Sequence, residues 1–370
     1  MHVVVAPDSF GGTLTAPDAA EAIAAGWRRG APADDVRAVP LADGGTGFAD
    51  VLHAVLGGTL HELSVTGPLG SPVDGTWLEV GDTAYVESAT ACGLHHVPRE
   101  QRTPDVARSA TSRGVGELVA AARDAGTTRI VVGLGGSATT DGGAGMLAAL
   151  GAVPVDDGGA PLEDGGAALV RCARLDGTPV LDGVTLVAAA DVDNPLLGRH
   201  GAAAVFGPQK GADADAVAEL DGALAVFGTV LAGLRPGVAD ERAAGAAGGL
   251  GAALLALGAT VEPGAGLVRS LTGLDAELDA AQLAVTGEGS FDWQSLRGKL
   301  VTTVAAGAAE RGVPCVVLAG QVSVGRREMG AAGVAAAYAV ADAAGLEASM
   351  ADPAGTLSAL AEDVAARWSR

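Results

Sequence analysis

Lysine is nearly missing from this chain. Of 23 basic residues only Lys210 and Lys299 are lysine, and each stands in a glycine-containing loop, Gly207-Pro208-Gln209-Lys210-Gly211 and Arg297-Gly298-Lys299-Leu300. A position that needs only solvated charge accepts arginine equally well. Two retained lysines therefore point to a compact ammonium donor, the form that acts as a point charge on phosphate. Chance retention in an arginine-biased sequence is the competing reading. Positive charge is scarce altogether, with 44 acidic residues and a formal net charge of −21. That balance argues against nucleic acid or an anionic membrane surface as a partner, since both attract a field of the opposite sign. An anionic ligand must then be held locally, by helix N-termini, a lysine or a metal ion.

Cysteine is equally sparse. Cys92, Cys172 and Cys315 are far apart and odd in number, with no Cys-x-x-Cys, so neither a disulfide framework nor a zinc knuckle is supported and a cytoplasmic location is expected. Aromatics make up only 3% of the chain, so the core must be built from Ala, Val and Leu. One apolar run, 243–261, reaches membrane-spanning length. Its glycines and alanines, with Asp240, Glu241 and Glu262 at the margins, favour a packed glycine-rich loop and helix instead. The first eight residues hold too short an apolar run for a secretory leader and read as a strand entering a loop. No Gly-x-x-x-x-Gly-Lys-[Ser/Thr] run, protein-kinase signature or Gly-x-Ser-x-Gly elbow is present, and the six histidines have no metal-ligand spacing.

What the chain does hold is length, apolar content and alternation. At 370 residues, 49% of them apolar, it is long enough for two cores. Residues 3–6 form a β-branched run, and 16–29 follow as a helix with Thr15 as N-cap. Further strands are expected at 36–41, 129–133, 185–190, 283–286, 313–318 and 334–340. Helices are expected at 49–56, 114–125, 142–150, 214–231 and 301–311. Between 63 and 86 the pattern changes to short runs with turn residues, which read as hairpins and a change of domain. The expected fold class is α/β, with a parallel domain interrupted by a second, inserted α/β domain.

Three loops at strand ends carry chemistry. Ile130 to Gly143 passes from an apolar strand through Gly135, Gly136, Ser137, Thr139, Thr140, Asp141 and Gly142 into a helix, the pattern of an anion cradle. Packing alone also produces such glycine turns. Asp191 and Asp193, with Asn194, follow another strand; hard oxygens of this kind suit Mg²⁺, although turn capping explains them equally. Glu288 and Asp292 follow a third strand in Thr286-Gly287-Glu288-Gly289-Ser290-Phe291-Asp292, with Lys299 seven positions on. A carboxylate there can orient or deprotonate a substrate hydroxyl, or cap the next helix.

Taken together these motifs resemble the bacterial type I glycerate kinases. The likeness runs over nearly the whole chain and rests on seven ordered blocks. They are Ala6-Pro7-Asp8-Ser9-Phe10, Ala42-Asp43-Gly44-Gly45, Gly135 to Gly143, Asp191-Val192-Asp193-Asn194-Pro195, Phe206 to Gly211, Gly245-Ala246-Ala247-Gly248-Gly249 and Thr286 to Gly289. The resemblance implies a Rossmann-like α/β domain, here 1–63 with 245–370, and an inserted α/β domain, 64–244. It implies an ATP-dependent kinase acting on D-glycerate, usually giving 2-phosphoglycerate, with Mg²⁺ as cofactor.

On that basis Mg²⁺-ATP is expected on Gly135, Gly136, Ser137, Thr139, Thr140, Asp141, Gly142, Asn194 and Lys210, with Asp191 and Asp193 as metal ligands. Glycerate is expected near Asp8, Ser9, Asp43, Gly44, Gly45, Gly248 and Gly249. Glu288 or Asp292 is the expected base, and Asp191 and Lys299 complete the catalytic set. Two positions depart from the family pattern: Gly11 stands where a lysine is usual, and Thr46 where a glutamate is usual. Losing a cation and a carboxylate together is charge-neutral. It leaves open a pocket re-tuned for another small hydroxy acid, or a member that binds without catalysis. Oligomeric state is not set by the sequence, and a homodimer stays open.

Overall fold

The computed structural model describes residues 1–181, 183–296 and 300–369. The strands in chain order are β1 (His2–Val5), β2 (Asp35–Ala38), β3 (Thr59–Thr66), β4 (Pro72–Val80), β5 (Thr83–Glu87), β6 (Arg129–Gly133), β7 (Val153–Val155), β8 (Arg174–Asp176), β9 (Thr185–Ala189), β10 (Thr260–Glu262), β11 (Leu283–Phe291), β12 (Cys315–Val322) and β13 (Val334–Ala339). The chain divides into two compact units. One holds 1–43, 50–57 and 265–370, and the other 44–49 and 58–264.

The first unit is built on a parallel sheet ordered β2-β1-β11-β12-β13. Renumbered within the unit this is the 2-1-3-4-5 order of doubly wound sheets, whose direction of winding reverses between β1 and β11. Strands covered on both faces must be apolar throughout. Val3, Val4 and Val5 of β1 and Cys315 to Ala319 of β12 are all buried. The helix Ala16–Gly30 starts where expected, with Thr15 Oγ1 accepting from Asp18 N at 3.2 Å. It lies on the helix Pro353–Trp368 at backbone distance. A Cβ built on Gly26 would sit 2.0 Å from the Ser358 carbonyl oxygen. Ile23, Trp27, Val285, Leu318 and Leu360 fill the core alongside.

The second unit holds a six-stranded mixed sheet ordered β10-β9-β6-β5-β4-β3 and a small β7-β8 pair. The meander β3-β4-β5 is antiparallel, confirming the hairpins read from the turn residues. From β5 through β6 and β9 to β10 the pairing is parallel. Trp77, Leu118, Ile130, Met146 and Phe227 anchor its core.

The sequence boundaries of 63/64 and 244/245 differ from these units chiefly at the second crossing, which falls after Gly264. The helix Ala246–Ala256 carries Leu250, Leu254 and Leu255 into the second unit's core, and β10 pairs with β9, so the apolar stretch belongs there. Its entry is irregular. Ala247, Gly248 and Gly249 all take positive φ, and Gly248 is pressed so near Thr139 that a Cβ would lie 1.8 Å from the Thr139 oxygen. Among the described residues no helix is long and apolar enough to cross a membrane.

The helix contact in the first unit gives a direct test. Gly26→Ala should lower stability by about 1–3 kcal/mol, because the added methyl must push two backbones apart. Thermal denaturation should show a reduced Tm. An unchanged Tm would mean that the two helices do not meet at backbone distance.

Candidate active site

In the first unit the reversal of sheet winding places a cavity of about 600 Å³ at the carboxyl ends of β1, β11 and β12. Asp8 and Ser9 leave β1 on its floor, beside Glu288 and Gly289 of β11. Asp8 N donates to the Gly287 oxygen at 2.8 Å, and Asp8 Oδ1 accepts from Ser9 N at 2.6 Å. Burial pushes the Asp8 carboxyl up to about 7, against the pull of the Ser9 amide, and the charges of Asp43 and Glu288 add to the rise. Glu288 is itself buried. Asp292 also lines the cavity, yet its Oδ1 accepts from Gln294 N at 2.7 Å and Ser295 N at 3.3 Å, so it holds the turn that ends β11. Lys299 lies outside the described residues.

The expected strand at 283–286 runs on to Phe291 because the Gly-Glu-Gly stretch continues the ladder with β12. Glu288 therefore projects from a strand, a firmer support than a loop. Leu346, Met350 and Leu357 form the apolar side of the cavity and Gln294, Gln321 and Ser349 contribute polar groups. None of these six belongs to a motif, and only their position reveals them.

The second unit has its own, smaller cavity of about 140 Å³, lined by Gly135, Gly136, Ser137, Phe206, Gln209 and Lys210, with Val192 and Ala247 among its remaining walls. Lys210 is 2% exposed. Its Nζ donates to the Thr139 oxygen at 2.6 Å and to Ser137 Oγ at 3.2 Å. Desolvation pulls the ammonium down to about 8. The loop below is held by Asp141, a fully buried carboxylate that accepts from Ser112 N and Ser112 Oγ at 2.8 Å, Gly143 N at 3.1 Å and Gly145 N at 3.2 Å. Burial pushes its pKa up and these four donors pull it down.

The structure sorts the sequence-read residues by location. Asp8, Ser9, Glu288 and Asp292 come together in one cavity, and Gly135, Gly136, Ser137 and Lys210 in the other. Thr139, Thr140, Asp141 and Gly142 are buried and do not line the smaller cavity. Gly44 and Gly45 are packing residues: a Cβ on Gly135 would lie 2.4 Å from Gly45 Cα. Gly248 and Gly249 pack likewise on the 139–142 backbone.

Asn194 Nδ2 donates to the His200 oxygen at 2.8 Å and braces its own loop. Asp193 Oδ1 takes two donors from Arg242, at 2.6 and 2.8 Å, and Asp191 is exposed. Among the described residues no group of three or more His, Cys, Asp or Glu side chains is placed to hold a metal ion. A residue the motifs did not flag is Glu87 at the end of β5. Its buried carboxylate accepts from Gly47 N and Ala49 N, bracing the loop that carries Thr46.

A protein-family model described as the Glycerate kinase family matches residues 3–369. An uncharacterized protein of Mycobacterium bovis is 46% identical over 99% of this chain and 91% of its own length. The Escherichia coli glycerate 2-kinase is 42% identical over 87% of this chain and 86% of its own length. The Bacillus subtilis glycerate kinase is 44% identical over the same shares. A crystal structure assigned as glycerate kinase 2, from Salmonella typhimurium LT2, superimposes with a TM-score of 0.83 at 38% identity, covering 100% of this chain and 98% of that one.

Lys210 supports the loop as well as facing the cavity. The sequence alone predicts that Lys210→Ala lowers turnover with little change in Tm. With its two acceptors buried, the same substitution should instead cost about 1–3 kcal/mol of stability in addition to activity. Thermal unfolding checks this, and a Tm equal to that of the parent protein would show that the internal bonds carry no weight.

Proposed function

This chain belongs to the glycerate kinase family, and on that premise we propose that it transfers the γ-phosphoryl group of ATP to D-glycerate, giving 2-phosphoglycerate. The observation that carries this reading is Asp8. It is a carboxyl at the sheet's switch point, raised to about 7, close to the ideal for a general base working near neutral pH. As the acceptor hydroxyl attacks the γ-phosphorus, Asp8 takes its proton. The new O–P bond forms while the bond from the γ-phosphorus to the bridging oxygen breaks, and ADP leaves. Such a transfer asks little covalent work of the protein and much positioning. Glu288, close enough for its charge to act on Asp8, keeps the base strong. In the second unit the Gly135 to Ser137 turn and Lys210 are of a size and sign to hold a small anionic group.

Mg²⁺ would enter bound to the nucleotide phosphates, which it neutralises, and no step here depends on a protein-held ion. The three free cysteines are all buried, which suits a cytoplasmic enzyme. A second reading keeps the chemistry and changes the acceptor. Gly11 is exposed at the cavity edge with nothing within 4 Å of its Cβ direction, so the room that the family's usual lysine would fill is open to another small hydroxy acid.

³¹P NMR of the protein with Mg²⁺-ATP and D-glycerate should show a 2-phosphoglycerate resonance that is absent without acceptor. Intact ATP would sink the glycerate assignment, and a panel of hydroxy acids would then test the second reading. For Asp8, the base must be ionised to act. Its pKa near 7 therefore predicts that kcat/KM climbs with pH through about 7. Asp8→Asn should cost roughly 100- to 10,000-fold and remove that limb. A profile flat between pH 5 and 9 would exclude Asp8 as the base.

A further inference from the structure

The two cavities are too unequal to be interchangeable. Sites for drug-sized ligands occupy roughly 300–1,000 Å³. The 600 Å³ cavity of the first unit falls in that range, and the 140 Å³ cavity of the second falls well below it. Resting on the kinase reading for the identity of the donor, we infer that the first unit's cavity receives the nucleoside of the phosphoryl donor, with its base against Leu346 and Met350. The glycine-rich loop of the second unit, which the sequence marks for ATP, is left to a small anion.

Three independent features agree. The cavity stands at the β1/β11 reversal of a 2-1-3-4-5 sheet, the place where open α/β sheets take their ligands. Its outer wall holds Leu346, 55% exposed, and Met350, 60% exposed, both large apolar side chains left in water. A planar base laid on them removes that apolar surface from solvent, and methionine adapts readily to such a face. Gln321 and Ser349 supply donors and acceptors at the same wall, the few placed polar groups that fix orientation in a largely apolar pocket. The floor is the opposite in character. Asp8 and Glu288 lie there with like charges, and the charge of Asp43 also acts on Asp8, a setting that disfavours a bare anion and suits phosphates that arrive with their Mg²⁺.

In the second unit, by contrast, the one lysine of the cavity is already bonded to Ser137 and Thr139. The remaining space is that of a few water molecules, about 30 Å³ each.

The test is direct binding of Mg²⁺-ADP by titration calorimetry, which needs no turnover. Met350→Glu should weaken ADP at least tenfold without lowering Tm, and Leu346→Asn, on the same wall, should do likewise. Met350→Leu should retain affinity, and Leu234→Glu, at an exposed position outside both cavities, should bind as the parent does. In steady state the wall variants should raise KM for ATP and leave KM for glycerate unchanged.

ADP binding that ignores both wall substitutions would overturn the inference, as would a parent protein that does not bind ADP. A parent protein that binds ADP, loses it on Met350→Glu and yet forms no phosphoglycerate would uphold the nucleoside site while the glycerate reading fell.

Discussion

The second unit's candidate site hangs on one buried carboxylate. Asp141 is out of contact with water, and an isolated charge there would be prohibitively costly. It is tolerable because it is surrounded by donors from Ser112, Gly143 and Gly145, and Ser112 Oγ in turn accepts from Met146 N. These bonds fasten the far end of the glycine loop to the helix Ala144–Ala149. The near end, Gly135 and Gly136, is left as the part that faces the cavity. Lys210 completes the arrangement by bonding the Thr139 carbonyl. Most polar residues of this loop therefore build the cavity, and few line it.

The first unit solves a different electrostatic problem. The chain carries a net charge of −21, and the cavity at β1 and β11 concentrates still more negative charge around Asp8. Desolvation and like charges together keep that carboxyl poised near neutrality, which is a liability for stability and an asset for proton transfer. The two cavities thus have opposite local characters. One offers carboxylates and an apolar wall, and the other backbone turns and an ammonium group.

Much of the fold was legible from periodicity. The strand Arg129–Gly133 matches its expected bounds, and the helices at 16, 49, 114, 214 and 301 begin within a residue of expectation. Their apolar spacing and Thr15's cap are local signals. Tertiary contacts were not legible. The helix at 246–256 reads as the return to the first domain, but Leu250 and Leu254 are claimed by the other core. Site residues divide the same way. Asp8 and Glu288 sit at carboxyl ends of neighbouring parallel strands, where sheet topology delivers them to one place. Thr139, Thr140, Gly248 and Gly249, which the motifs mark for ligands, lie buried, and a glycine loop with hydroxyls looks alike in sequence whether it faces solvent or packs on a neighbouring loop. Leu346 and Met350 carry no motif, and their exposure is visible only in three dimensions.

Hydrogen–deuterium exchange with each ligand added alone tests the assignment of ligands to cavities most directly. Mg²⁺-ADP should protect backbone amides in 286–294 and 346–357. D-glycerate alone should leave 346–357 exchanging as in the free protein. Protection of 134–143 by ADP, with 346–357 exchanging as in the free protein, would contradict the account.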